Sequence, residues 1–108
     1  MRKPPKFEKK TMVYRGLVLE TRHALVIAFE ETDFVNRYLL RFPLGQFAII
    51  REVCDDDEQG FDFMALKSSK MSVVSISEAA EFWNRCAVDE KLPFARAFPD
   101  LELIKKVA

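Results

Sequence analysis

An acidic run at residues 55–58 is followed by Gln59 and Gly60, and it is the first stretch whose residue types could do chemistry. Oxygen-bearing side chains at positions 55, 57 and 59 alternate as the first ligands of an EF-hand loop do, and Gly60 stands where that loop turns sharply. A calcium loop of this kind needs a bidentate carboxylate at its twelfth position, which here is Leu66. The sequence therefore predicts no metal site. It predicts a solvated loop that cannot continue a strand and that discourages edge-to-edge strand pairing.

Nucleophiles and bases are few. His23 is the only histidine, and it lacks a serine or cysteine partner at a spacing typical of nucleophilic catalysis. The carboxylates after Cys54 disfavour its thiolate, and Cys86 falls among apolar residues, so neither thiol is a good nucleophile and no zinc or disulfide pattern is present. No glycine-rich phosphate loop and no G-x-S-x-G motif occurs. We therefore expect a protein that is not an enzyme and has no cofactor.

Charge is unevenly distributed although the formal net charge is zero. Residues 1–51 carry ten basic and five acidic side chains, a balance of +5, and residues 52–108 carry seven and twelve, a balance of −5. Such a charge dipole steers a charged partner or a second copy over about 10 Å at ordinary salt. If Arg15, Arg37 and Arg41 share one sheet face, they form a stripe that could follow a phosphate backbone. The candidate contacts to nucleic acid or another partner are Lys9, Lys10, Arg15, Arg37 and Arg41.

The length of 108 residues, 49% of them hydrophobic, is typical of one globular domain that buries about two-thirds of its unfolded surface. No run approaches the ~20 apolar residues of a membrane span, and the basic N-terminus leads into no apolar segment of a secretory signal. These features favour a cytoplasmic protein. Residues 1–10 are rich in proline and cations, which predicts a flexible basic arm, and residues 11–108 form a single α+β domain.

Alternating apolar residues predict about six strands. They span residues 12–20, 23–30, 36–42, 47–53, 61–66 and 71–76. Hairpin turns are predicted at residues 19–23, 43–46 and 67–70, and the second has the strongest chemistry because Pro43 presets φ and Gly45 accepts a positive φ.

The apolar period changes from 2 to 3.6 after residue 74, which predicts a helix that runs to about residue 87. Ser75 with Glu78 matches a capping box, and Ser77 is the alternative N-cap. The apolar stripe of this helix consists of Ala79, Phe82, Trp83, Cys86 and Ala87. Residues 92–98 predict one or two helical turns with proline at the first position, and residues 100–107 fit a strand or a helix, with alternation favouring the strand.

This order of elements predicts an α+β fold: a single antiparallel sheet or partly open barrel of about six strands, one C-terminal amphipathic helix packed on it, and a short C-terminal extension. The layout is similar to that of a pleckstrin-homology-like domain, in which a strongly bent antiparallel sheet is closed at one end by a C-terminal helix. The residues after the helix depart from that plan.

The strand predicted at residues 23–30 is apolar on both faces. One helix covers one face, so either the sheet curls to bury the other or that face docks on another chain. We therefore expect a non-catalytic protein-interaction module or self-associating accessory protein that forms a homodimer or binds a protein partner. The alternatives are nucleic-acid binding by the basic face, and a small-molecule pocket between sheet and helix. That pocket would be lined by Phe47, Phe61, Phe63, Phe82 and Trp83.

Overall fold

The strands lie in two antiparallel sheets, one of two strands and one of four, in a computed structural model that describes residues 1–56 and 64–101. The predicted α+β class is confirmed, and the prediction of one six-stranded sheet or barrel is wrong. The strands are β1 (Thr11–Tyr14), β2 (Leu17–Glu20), β3 (Leu25–Glu31), β4 (Val35–Arg41), β5 (Phe47–Asp56) and β6 (Met64–Val74). The helices are α1 (Ile76–Arg85) and α2 (Phe94–Ala97), with short 3-10 turns at Thr21–His23 and Val88–Glu90.

The first predicted hairpin is placed wrongly, because the chain already reverses at Arg15 and Gly16. Both residues have positive φ, 50° and 79°, as in a type I′ turn, whose twist suits antiparallel strands. β1 pairs with β2, and β2 does not pair with β3. The segment predicted as one strand is therefore a separate two-stranded hairpin.

The larger sheet has the order β3, β4, β5, β6. Its hairpin at residues 43–46 is confirmed: the Phe42 amide donates to the Gln46 carbonyl at 2.9 Å, and Gly45 has φ 95°. The turn predicted at residues 67–70 lies instead within β6, which pairs continuously with β5 apart from one register shift. β5 reaches Asp56, so the acidic run begins in a strand, and its other residues fall outside the described part.

β3 contains a β-bulge, and it is apolar on both faces because each face packs on a core of its own chain. Val26 pairs with Leu40 and Ala28 pairs with Leu39, so Ile27 is the extra residue in the ladder. Ile27 and Ala28 are buried on the side of the helices, and Phe29 is buried on the opposite side. Both faces of this strand are therefore covered by its own chain.

The helix-face core is formed where α1, α2 and the residues around them pack on the larger sheet. Its buried members are Ile27, Ala28, Leu39, Phe47, Ala79, Phe82, Cys86, Leu92, Ala97 and Phe98. Ser75 is the N-cap: its hydroxyl accepts the Glu78 amide at 3.1 Å, and Glu78 accepts the Ser75 amide at 3.4 Å, which completes the predicted capping box. Of the predicted stripe, Ala87 alone is exposed, because the helix has already ended at Arg85.

The hairpin-face core lies on the other side of the larger sheet, under the β1–β2 hairpin and residues 1–10. Its buried members are Leu19, Phe29, Tyr38, Leu40, Phe42, Ala48, Ile50 and Met71. Phe7 packs on it with its ring 4.7 Å from that of Tyr38, and the Arg2 amide donates to the Asp89 carbonyl at 2.7 Å. Residues 1–10 form no helix or strand, and their flexibility in solution stays a prediction.

After α1, Pro93 is the N-cap of α2 and not its first residue, and α2 is a single turn. Residues 99–101 are helical, against the prediction of a strand, and residues 102–107 of that predicted strand lie outside the described part. In residues 1–56 and 64–101 no helix is long and apolar enough to cross a membrane.

Candidate functional site

The five basic residues predicted as contacts do not form one stripe. Lys9 and Lys10 belong to the N-terminal segment, where the Lys9 ammonium lies 4.9 Å from the centre of the Phe7 ring. Arg15 is at the tip of the β1–β2 hairpin. Arg37 and Arg41 lie on β4 and share the face of Leu39, which packs under the helices. The condition for a common phosphate track through Arg15, Arg37 and Arg41 is therefore not met.

Arg41 has a structural partner. Its Nη1 donates to the Ala97 carbonyl at 3.3 Å, in the only turn of α2. A cation at the end of a helix satisfies a carbonyl that has no partner within the helix. Arg41 thus ties the C-terminal segment to the sheet.

The aromatic residues predicted to line a pocket mostly fill the helix-face core. Phe47 and Phe82 are buried, and the Trp83 indole nitrogen donates to the Leu92 carbonyl at 2.8 Å. Phe47 borders a cavity of about 50 Å³, far below the few hundred Å³ of a typical ligand pocket. Phe61 and Phe63 lie outside the described residues.

The thiols and carboxylates in the described part do not assemble a reactive centre. No group of three or more His, Cys, Asp or Glu side chains there could hold a metal ion. Burial, together with the charge of Glu30, raises the pKa of Cys86 to about 11, and its thiol donates to the Phe82 carbonyl at 3.2 Å. Cys86 therefore behaves as a small core residue, as the sequence predicted.

An apolar surface surrounds the turn between β4 and β5. We call it the turn surface and define it as Leu17, Val18, Leu25, Pro43 and Leu44. Leu44 is 75% exposed and lies between two grooves. One groove, of about 220 Å³, is bounded by β2, and the other, of about 520 Å³, extends past His23 to Asp100. A leucine at the tip of a turn, where polar residues are usual, was the one sequence signal for this surface.

A row of cations crosses the helix side of the larger sheet beyond the region that α1 covers. We call Arg37, Arg51 and Lys70 the basic row. In the strand register Arg37 lies opposite Arg51, and Arg51 lies opposite Lys70. Arg51 and Lys70 are exposed. Of these three residues only Arg37 is among the contacts predicted from the sequence, because the row depends on the register between three strands.

Comparison of the chain with protein-family models, with curated proteins and with solved structures gives no significant match. The pleckstrin-homology-like layout expected from the element order gains no support from these comparisons. It also differs from the observed fold, in which a four-stranded sheet lies between the helices on one face and the β1–β2 hairpin with residues 1–10 on the other.

Proposed function

We propose that this protein is a non-catalytic protein-interaction module that self-associates through the turn surface. One observation carries the proposal: Leu44 projects beside an apolar groove of about 220 Å³ on the same side of the molecule. Val18, which borders that groove, is 63% exposed. Contiguous exposed apolar side chains of this kind mark protein contacts in soluble proteins.

The partner proposed for this surface is a second copy of the chain. In a two-fold dimer each partner presents the same patch, so Leu44 of one copy can enter the groove beside Leu44 of the other. The formal net charge is zero, so no net repulsion opposes the approach of two copies. Residues 27–29 of the doubly apolar strand β3 are buried within their own chain, so the proposal rests on the turn surface, to which β3 contributes Leu25.

The rim of the turn surface is polar, as in most protein interfaces. His23 borders both grooves, and its Nε2 lies 3.2 Å from the Glu20 carboxylate. Asp100 and Arg41 border the larger groove on its far side. Side chains of both signs therefore surround the apolar centre and favour one orientation of the two copies.

Light scattering over a micromolar dilution series tests this proposal. The wild type should have twice the 12.6 kDa mass of one chain. Leu44→Asp and Val18→Asp should each raise the dissociation constant by about 100-fold, because each places a charge in the apolar centre of the contact. Both side chains are exposed, so the variants should fold as the wild type does.

Val88→Asp is the matched control, since Val88 is 85% exposed and lies on the 3-10 turn after α1, away from the turn surface. It should dimerise like the wild type. A wild type that is monomeric throughout the series, or a Val88→Asp variant that dissociates as readily as Leu44→Asp, would contradict the proposal.

A further inference from the structure

We infer that the basic row binds the phosphate backbone of a single-stranded nucleic acid. Arg37, Arg51 and Lys70 sit at paired positions of β4, β5 and β6. Neighbouring strands are about 4.8 Å apart, so the three cations span roughly 10 Å of the sheet surface. Arg37 shares the face of Leu39, and Arg51 shares that of Ile49, so the row extends along the sheet from the helix-face core.

Cations at directly opposed positions of adjacent strands repel one another and weaken the sheet. The row contains two such pairs, Arg37 with Arg51 and Arg51 with Lys70. A bound polyanion removes this repulsion, because each cation then has a phosphate to face. The arrangement is unfavourable for folding and favourable for binding, which points to a ligand.

One end of the row is neutralised and the other is open. Glu30 pairs with Arg37, and its carboxylate lies 3.6 Å from the Arg37 guanidinium and accepts the Arg85 Nε–H at 2.6 Å. Arg51 and Lys70 have no ion pair with any residue of the described part. Counting Arg85 and its neighbour Glu81, four cations of the described part face two carboxylates, Glu30 and Glu81, which leaves a balance of +2 on this surface.

The chemistry of the row favours phosphates carried on a flexible strand. A guanidinium offers a fork of N–H donors that matches phosphate oxygens, and Arg37 and Arg51 supply two such forks. Reading a duplex groove requires a protruding helix or ribbon, whereas single strands lie across open sheets and stack bases on aromatic side chains. Phe34, in the bend that precedes β4, is a 52% exposed aromatic side chain, and its carbonyl accepts the Cys54 amide at 2.8 Å, which holds this bend beside β5.

The test is fluorescence anisotropy with a labelled, mixed-sequence single-stranded DNA oligonucleotide at several salt concentrations. Three phosphate contacts predict that log K falls against log salt with a slope of about −2, since each contact contributes about 0.7 on single strands. Arg51→Gln and Lys70→Gln should each reduce the slope by about 0.7, and the double variant should lose about tenfold or more in affinity. Without the oligonucleotide, either variant should raise Tm slightly, because it removes a repulsive pair.

Lys9→Gln/Lys10→Gln is the control, since it removes two cations of the N-terminal segment and leaves the row intact. It should retain the wild-type slope. Loss of affinity in this variant while the row variant binds normally would overturn the inference, as would an absence of binding at low salt.

Competition by a polyglutamate peptide as effective as that by unlabelled oligonucleotide would assign the row to an acidic protein segment instead. Light scattering of the row variants should give the wild-type mass. A loss of oligonucleotide binding is therefore distinguishable from a loss of self-association through the turn surface.

Discussion

The two faces of the larger sheet are covered in different ways. The helix face is covered by one continuous stretch after β6, in which α1 and α2 follow each other closely. The hairpin face is covered by residues 1–20, which supply two four-residue strands and a segment without regular structure. A cover made of helices carries its own backbone hydrogen bonds, whereas an irregular cover must find partners for its backbone elsewhere.

The hairpin-face cover finds those partners in buried polar side chains. Among the described residues only Thr21 and Glu52 are buried polar or charged side chains, and both hold the N-terminal segment. Thr21 Oγ1 accepts the Lys10 amide at 2.9 Å, and a Glu52 carboxylate oxygen accepts the Glu8 amide at 2.9 Å. We therefore expect the helix cover to contribute more stability and the N-terminal cover to depend on a few polar anchors.

Phe82→Ala should have the largest effect on stability. Phe82 is buried between α1 and the sheet, and removing its ring leaves a cavity that costs about 3–5 kcal/mol in the free energy of unfolding. Phe7→Ala, the corresponding change in the other cover, should cost about 1–2 kcal/mol, because Phe7 is half-exposed and packs mainly on Tyr38. Urea titration measures both, and equal losses would remove the proposed difference between the covers.

Glu52→Ala tests the polar anchors. It leaves the Glu8 amide without its buried acceptor and the Ser69 hydroxyl without the oxygen it reaches at 3.0 Å, which should cost about 1–3 kcal/mol. Limited proteolysis should then cleave residues 1–10 faster. Glu52→Gln keeps an acceptor oxygen and should lie between Glu52→Ala and the wild type. An unchanged cleavage rate in Glu52→Ala would show that other contacts hold the segment.

Each face of the larger sheet contains a buried group whose deprotonation at alkaline pH lowers the stability of the fold. Burial raises the pKa of Cys86, on the helix face, from 9.0 to about 11, and burial together with the charge of Glu52 raises that of Tyr38, on the hairpin face, from 10.0 to about 12. The unfolded chain releases each proton first, so stability falls as pH rises, by up to about 1.4 kcal/mol per pH unit for each group.

Cys86→Ala should remove the loss that begins near pH 9, and Tyr38→Phe the loss that begins near pH 10. Thermal unfolding between pH 8 and the onset of base denaturation, followed for the wild type and both variants, measures these slopes. A flat wild-type profile above pH 9 would contradict the burial of both groups.

Ser75→Ala should have the smallest effect of the set, about 1 kcal/mol, through loss of the capping box of α1. Ser77→Ala is its control, since Ser77 lies inside the helix and does not cap it. Its stability should change by a few tenths of a kcal/mol at most. Urea midpoints distinguish the two variants. A larger loss of stability for Ser77→Ala than for Ser75→Ala would show that Ser75 is not the N-cap of α1.

Local signals in the sequence predicted the elements that depend on local chemistry. The capping box at Ser75 and the turn at residues 43–46 were both identified from adjacent residues. The turn at Arg15 and Gly16 was missed, because apolar residues continue on both sides of it and no Asn-Gly pair marks it. Polar residues 67–70 resembled a turn, yet a strand at the edge of a sheet carries such residues readily.

The candidate surfaces depend on contacts between distant segments, which explains why the sequence showed little of them. The basic row requires the register that sets Lys70 beside Arg51, and the turn surface requires β2 to pack beside Leu44. The N-terminal cover depends on Glu52, forty-four residues away from Glu8. The pattern of apolar residues specifies which faces are buried, and it does not specify which segment covers them.

Hydrogen–deuterium exchange at low and high protein concentration tests most directly the claim that the chain covers both of its sheet faces and leaves the turn surface for a partner. We expect amides of Leu17–Glu20, of Leu25 and of residues 42 and 44–46 to gain protection at high concentration, while those of residues 26–31 and 35–40 are unchanged. Protection gained along residues 26–31, or at no amide of the chain, would contradict the account.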